Sequence, residues 1–302
     1  VRRQSQSRKE AKNAKHDQEN RRQDVLMLIQ YGFEIAISCN AATPVVCQLD
    51  VHPSRAGYVR RETPFSTQPS VDVSLYTDGY GNLCRRLIAP PGRLVMTCDG
   101  VIEDDGRPDE TLPDTPETPF SELPNEVLVY LLGSRYCETD KLSQIAWNLF
   151  GNTQPGWSRV QAICDFVHQR ISFGYRHARN TRTAYEAYEE QIGVCRDYAH
   201  LAVALCRCMN IPARYGTGYL GDIGVPVDPE PMDFSAWFEA FLGGRWHTFD
   251  ARHNRPRIGR ILVACGRDAS DTPLLNTFGP HRLESFKVWT VELAADALMA
   301  GA

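Results

Sequence analysis

Two residues after Gly193, in the run Gly193-Val194-Cys195-Arg196-Asp197-Tyr198-Ala199-His200, a cysteine stands where the chain enters a helix. The first N–H groups of a helix have no partner inside it. Together with the helix dipole they favour a thiolate over a thiol and can face a developing oxyanion. A nucleophile at Cys195 would attack a carbonyl carbon. The bland alternative is a small buried core residue, the commonest fate of a free cysteine. Two further segments bear on the choice: Asp233-Phe234-Ser235-Ala236-Trp237-Phe238-Glu239, and Trp246-His247-Thr248-Phe249-Asp250 with His253 three residues beyond.

These residues need a frame, and periodicity supplies it. Trp157, Val160, Cys164, Val167 and Ile171 recur at helical spacing, and Asp140 to Phe150 and Pro124 to Leu132 also suit helices. The helix that starts near Gly193 carries Cys195, Ala199, Ala202, Cys206 and Met209 on one stripe and is stopped by Asn210-Ile211-Pro212. Strands follow at 213–219, 234–241 and 245–250, the last two joined through Leu242-Gly243-Gly244. Helices first and an antiparallel sheet second make 124–290 an α+β core. Before it, 24–101 reads as an all-β, sandwich-like unit of short alternating runs, with Asp78-Gly79-Tyr80-Gly81-Asn82 as a hairpin signal. Residues 102–123 read as an acidic, proline-rich linker. Residues 1–23, with eight Lys/Arg against three Asp/Glu, read as a solvated tail, and 291–302 as a short terminal one.

With this order in place, the quoted segments, together with Ile211-Pro212-Ala213-Arg214-Tyr215, resemble the transglutaminase-like superfamily, in its bacterial form with a β-sandwich ahead of the core. The resemblance implies a papain-like fold and a Cys/His/Asp triad that attacks a peptide or glutamine carboxamide carbonyl through a thioester. Amine then gives crosslinking, and water gives proteolysis or deamidation. Cys195 matches the nucleophile and Asp250 the group that orients the imidazole. Where the family's His-Ala-Trp-x-Glu segment has histidine, this chain has Ser235. Two functions stay open: a thiol enzyme impaired by that replacement, or an inactive domain that keeps the groove and binds a protein or peptide.

Strand alternation puts Ser235 on one face with Trp237, Glu239 and Phe241, so it points where the base should be. Serine cannot take a proton from a thiol near neutral pH, nor become an imidazolium. His247 falls out of phase with Asp250, and His200 lies more than a helical turn past Cys195. His253, in a loop, is the one stand-in for the base. Trp237 and Trp246 are candidate walls of a substrate groove and, as strand aromatics, packing residues first. Arg196 and Asp197 read as an exposed first-turn pair that caps or charges the helix. Gly216-Thr217-Gly218 lacks the context of a phosphate loop.

Composition narrows the partners. A chain of 302 residues with 42% hydrophobic content can bury a full core, and a net charge of −4 offers no field for nucleic acid. No apolar run approaches the roughly 20 residues of a membrane span. Ten scattered cysteines without a Cys-x-x-Cys pair suggest free thiols in a reducing, cytoplasmic setting, and no metal or cofactor is implied.

Overall fold

A computed structural model describes residues 27–294. The expected tail at 1–23 lies outside the described residues, as do 295–302. Six strands come first: β1 (Met27–Cys39), β2 (Thr43–Cys47), β3 (Val59–Gln68), β4 (Val73–Thr77), β5 (Leu83–Ala89) and β6 (Gly92–Asp104). The expected hairpin joins β4 to β5. Its Asp78 carboxylate accepts the N–H groups of Tyr80 and Asn82 at 2.8 and 2.9 Å, and Gly81 takes a φ of 86°. β3 was not foreseen, because its ten residues are mostly exposed and carry no apolar alternation.

The chain then turns helical. Residues Asn125–Leu131, expected as an α-helix, form a 3-10 helix. There follow α1 (Thr139–Phe150), α2 (Trp157–Arg170), β7 (Ser172–Phe173), α3 (Ala184–Glu190), β8 (Ile192–Gly193) and α4 (Cys195–Cys208). α4 is buried on nearly every side, well beyond the single stripe read from its sequence. A helix so enclosed forms the centre of a domain, and α1, α2, α3 and a four-stranded sheet pack round it. That sheet is antiparallel, in the order β11 (Arg245–Phe249), β10 (Ser235–Leu242), β9 (Ala213–Leu220), β12 (Arg260–Gly266). Phe238, Ala240 and Leu242 of β10 join the helices in one core.

The last two strands correct the expected boundaries. β13 (Leu275–Thr277) pairs with β2, and β14 (His281–Leu293) runs antiparallel to β1 along almost its whole length. Residues assigned to the core and to a terminal tail therefore complete the two four-stranded sheets of the N-terminal sandwich, β14-β1-β6-β3 and β13-β2-β5-β4. The physical reason is that β1 and β2 would otherwise present unpaired edges. Trp289 of β14 packs against Gly32, where an added Cβ would come 2.4 Å from its ring and 2.5 Å from Cys98 O, so only glycine fits there.

The linker also differs from expectation. β6 runs on to Asp104, and the acidic segment after it is a strap bonded to the core: Trp157 N–H donates to Thr115 O, Gly243 N–H to Pro116 O, and Asp109 accepts from Arg260. Three of its carboxylates, Asp109, Glu110 and Glu117, pair with Arg260, Arg245 and Arg159 of the core. The sandwich core in turn continues through Tyr219, Phe234, Ile261 and Val263. The start of β10 at Ser235 is thus anchored by Phe234, whose ring lies 4.8 Å from that of Tyr219.

Candidate active site

Cys195 is the first residue of α4, and of ten free cysteines it alone is partly exposed. The helix start is fixed by Asp197, whose carboxylate accepts the Val194 N–H at 2.9 Å and pairs with Arg182 at 3.0 Å. Asp197 is completely buried, which corrects its reading as exposed. Asp197 caps the helix as expected, whereas Arg196 does not. Its guanidinium donates to the carbonyls of Asn180, Arg179 and Arg182 and ties down the loop ahead of α3.

The helix start does not deliver the thiolate that was expected of it. Burial of the Cys195 sulfur pushes its pKa up to about 11; Arg252 and a hydrogen bond from the Ala236 N–H pull it down, while Asp233 and Asp250 push it further up. Desolvation wins because the favourable partners are one guanidinium and one amide, with no imidazolium.

Asp250 directly follows β11, and the chain after it folds back round its carboxylate. One oxygen accepts the N–H groups of Arg252 and His253, both at 3.0 Å. The other accepts His253 Nδ1 at 2.8 Å and Arg260 Nη2 at 2.7 Å. Burial alone would raise this carboxyl, but Arg260 and His253 hold it well below the usual range. His168 of α2 braces the loop by donating to Arg252 O at 2.9 Å.

Ser235 begins β10 opposite Gly218. A Cβ at Gly218 would lie 2.0 Å from Ile261 O, so the glycines of 216–218 serve close strand packing in β9. The register of β10 with β11, continued one step past Phe238 and Phe249, sets Trp237 against Asp250. Ser235 and Asp250 therefore share a face, as alternation predicts. The Ser235 hydroxyl is buried without a hydrogen-bond partner.

Cys195, Ser235 and His253 line one cavity of about 180 Å³, with Tyr175, Arg252 and Asp233 among its other walls. Asp250 stands behind it, bonded to His253. The imidazole donates from Nδ1, so Nε2 is its acceptor in the neutral form. Among the described residues no hydrogen bond joins it to Cys195. The other histidines face elsewhere. His200 is stacked on Tyr136 and accepts the Ala269 N–H, its pKa pushed down to about 3 by burial, and His247 donates to Leu242 O.

The two tryptophans do not line this cavity. Trp237 is buried beneath the Arg260 guanidinium, 5.1 Å from its ring, and Trp246 packs edge-on against Tyr130 and Phe241. They support the sheet. Sequence reasoning missed Arg252, Arg257, Arg260 and Asp233. The signal was present in Ala251-Arg252-His253-Asn254-Arg255-Pro256-Arg257-Ile258-Gly259-Arg260, a basic run directly after a buried carboxylate. No cluster of three or more metal-ligating side chains occurs among the described residues, and none of their helices is long and apolar enough to cross a membrane.

A cysteine begins the central helix and shares a cavity with the first residue of β10, and a buried aspartate follows β11. Residues 143–251 match the model of the transglutaminase-like superfamily, a span that encloses Cys195, Ser235 and Asp250. This span belongs to that superfamily. The chain also resembles a solved structure of a putative cysteine protease from Cytophaga hutchinsonii, at 27% identity and a TM-score of 0.77, over 90% of this chain and 92% of that one. An uncharacterised protein of Mycobacterium leprae is 24% identical over 218 residues, 68% of this chain and 75% of the relative. The periplasmic domain of TgpA from Pseudomonas aeruginosa, bound to ethylmercury, covers 76% of this chain and 90% of its own at 14% identity; its TM-score of 0.37 supports nothing further. The transglutaminase-like core and its sandwich partner are thus one α+β fold shared with the Cytophaga protein.

Proposed function

We propose that this chain is a transglutaminase-like thiol domain that keeps the nucleophile and the groove but lacks the base, so that it binds peptide segments at Cys195 and turns over carboxamides or peptide bonds slowly or not at all. The observation that carries this reading is Ser235. By motif resemblance it stands for the family's histidine; its hydroxyl has no partner, and the carboxylate of Asp250 is engaged by Arg260 and His253. A thiol with a pKa near 11 and no imidazole bonded to it is almost wholly protonated at neutral pH. Ten free cysteines fit a reducing compartment, which supports a cytoplasmic setting.

One observation favours a second reading. The Asp250–His253 bond at 2.8 Å is the carboxylate–imidazole half of a triad, and His253 shares the cavity with Cys195. If loop 250–254 moved the ring onto the thiol, His253 would be the base. The test is turnover of a glutamine-containing peptide, read as ammonia release and as incorporation of a primary amine, in the native chain, Ser235→His and His253→Ala. The first reading predicts activity only in Ser235→His. Native activity that His253→Ala abolishes would replace it with the second.

A further inference from the structure

The groove extends to both sides of the thiol. Cys195, Asp233 and Phe234 each line two hollows, the cavity of about 180 Å³ already described and another of about 620 Å³ that reaches toward Arg179 and Leu274. An extended chain crossing Cys195 would occupy both.

The smaller arm has a charge of its own. Its walls hold the carboxylates of Asp222, Asp228, Glu230 and Asp233 against the guanidiniums of Arg252 and Arg257. Arg257 is committed: it donates to Gly221 O at 2.8 Å and lies 3.7 Å from Asp222. Setting that pair aside leaves three carboxylates facing one guanidinium, and Arg252 lies over the ring of Phe173 at 3.7 Å. Two hydrogen bonds fix the acidic loop: Asp222 accepts the Asp228 N–H at 2.8 Å, and Asp228 accepts the Glu230 N–H at 3.0 Å.

A second observation points to a ligand. The same wall carries two buried polar atoms without partners, Ser235 Oγ and Arg257 Nε, on residues only 6% and 3% exposed. Ser235 stands across from Gly218, two residues before Leu220 on the same strand face, and Leu220 also lines the arm, so the hydroxyl is directed into it. Buried donors without acceptors are costly, and a peptide carbonyl would satisfy them.

We infer that this arm is a subsite for a cationic side chain of the bound peptide, its charge met by Asp228, Glu230 and Asp233 and its backbone by Ser235 Oγ and Arg257 Nε. The inference rests on the reading that peptides bind across Cys195. It needs no turnover.

The test uses the full chain and stoichiometric thiol reagents. Rates of Cys195 modification are measured with trimethylammonioethyl and with sulfonatoethyl methanethiosulfonate, and their ratio is divided by that for free cysteine. Protonation of the thiol affects both reagents alike and cancels. A preference of about tenfold for the cation is expected, shrinking at 0.5 M salt and falling at least about threefold in Asp228→Asn/Glu230→Gln. Asp140→Asn, beside Cys208 at the opposite end of α4, should leave it unchanged. In the same assay, millimolar acetyl-Gly-Lys-Gly-amide should protect Cys195 from neutral methyl methanethiosulfonate, and acetyl-Gly-Glu-Gly-amide should not. A normalised ratio of one, a ratio insensitive to the double substitution, or equal protection by the two peptides overturns the inference. Turnover by the native chain would overturn only the absence of a base.

Discussion

Replacing Ser235 by histidine should change how the reactivity of Cys195 depends on pH more than its rate at any one pH. Take a free thiol of pKa 8.5 and Cys195 at about 11. At pH 7.5 the folded thiol has roughly 300-fold less thiolate, but that thiolate is about tenfold more nucleophilic on a Brønsted slope of 0.4–0.5, leaving reaction about 20- to 30-fold slower. A histidine at 235 within reach of the thiol would lower its pKa by several units. If the new value were about 6.5, the thiolate fraction would rise about 3000-fold and its nucleophilicity fall about 100-fold. If it were near 4, the two changes would almost cancel.

The rate at one pH is therefore a poor witness and the slope a good one. Between pH 6 and 8.5, modification of native Cys195 by neutral methyl methanethiosulfonate should rise about tenfold per pH unit without a plateau. In Ser235→His it should be flat above the new pKa. Peptide mapping by mass spectrometry separates Cys195 from the nine buried thiols. A plateau below pH 8 in the native chain would refute the reasoning, because it would show a base or a fixed charge already acting on the sulfur. An unaltered slope in the variant would refute the placement of Ser235.

His253→Ala should leave the native pH profile unchanged and cost about 1–3 kcal/mol in urea unfolding, the range for a hydrogen bond to a charged group. A changed profile would favour the second reading of the site. Arg260→Met should cost more, about 3–5 kcal/mol, because it leaves Asp250 and Asp109 without their guanidinium; an unchanged urea midpoint would show that the carboxylates relax to water. Stability should also fall steeply above pH 8.5. Burial pushes Cys47, Cys98 and Cys137 up to about 12 and Cys208 and Cys265 to about 11. From 8.5 upward the unfolded chain thus binds fewer protons than the native one, and stability drops by about 1.4 kcal/mol per unit for each thiol. Equal urea midpoints at pH 8 and 10 would contradict this.

The site was legible where local rules decide it. Gly193 before and Pro212 after delimit α4, and alternation along β10 puts Ser235 on the Asp250 face, because a strand has only two faces. What stayed hidden depends on segments far apart in sequence. β14 meets β1 across some 250 residues, and nothing near Leu293 announces that pairing. The thiol's pKa escaped for a similar reason: a helix start predicts donors, whereas desolvation is set by everything packed around the sulfur.

Asp250 shows what such local reading leaves out, with a consequence for repair of the site. Phase places the carboxylate correctly but does not reveal that Oδ2 already accepts from both His253 and Arg260. A histidine introduced at 235 must therefore compete for an oxygen with two charge-assisted or polar donors. Arg260 is the stronger rival, yet removing it leaves the carboxylate uncompensated. His253 can be removed more cheaply. Ser235→His/His253→Ala should then orient the new imidazole better than Ser235→His alone, by up to the worth of one hydrogen bond to a charged group, about 1–3 kcal/mol or roughly 5- to 150-fold in turnover. If the double variant is instead less active than the single, His253 takes part in the reaction, and the groove holds a base that the Ser235 position does not reveal.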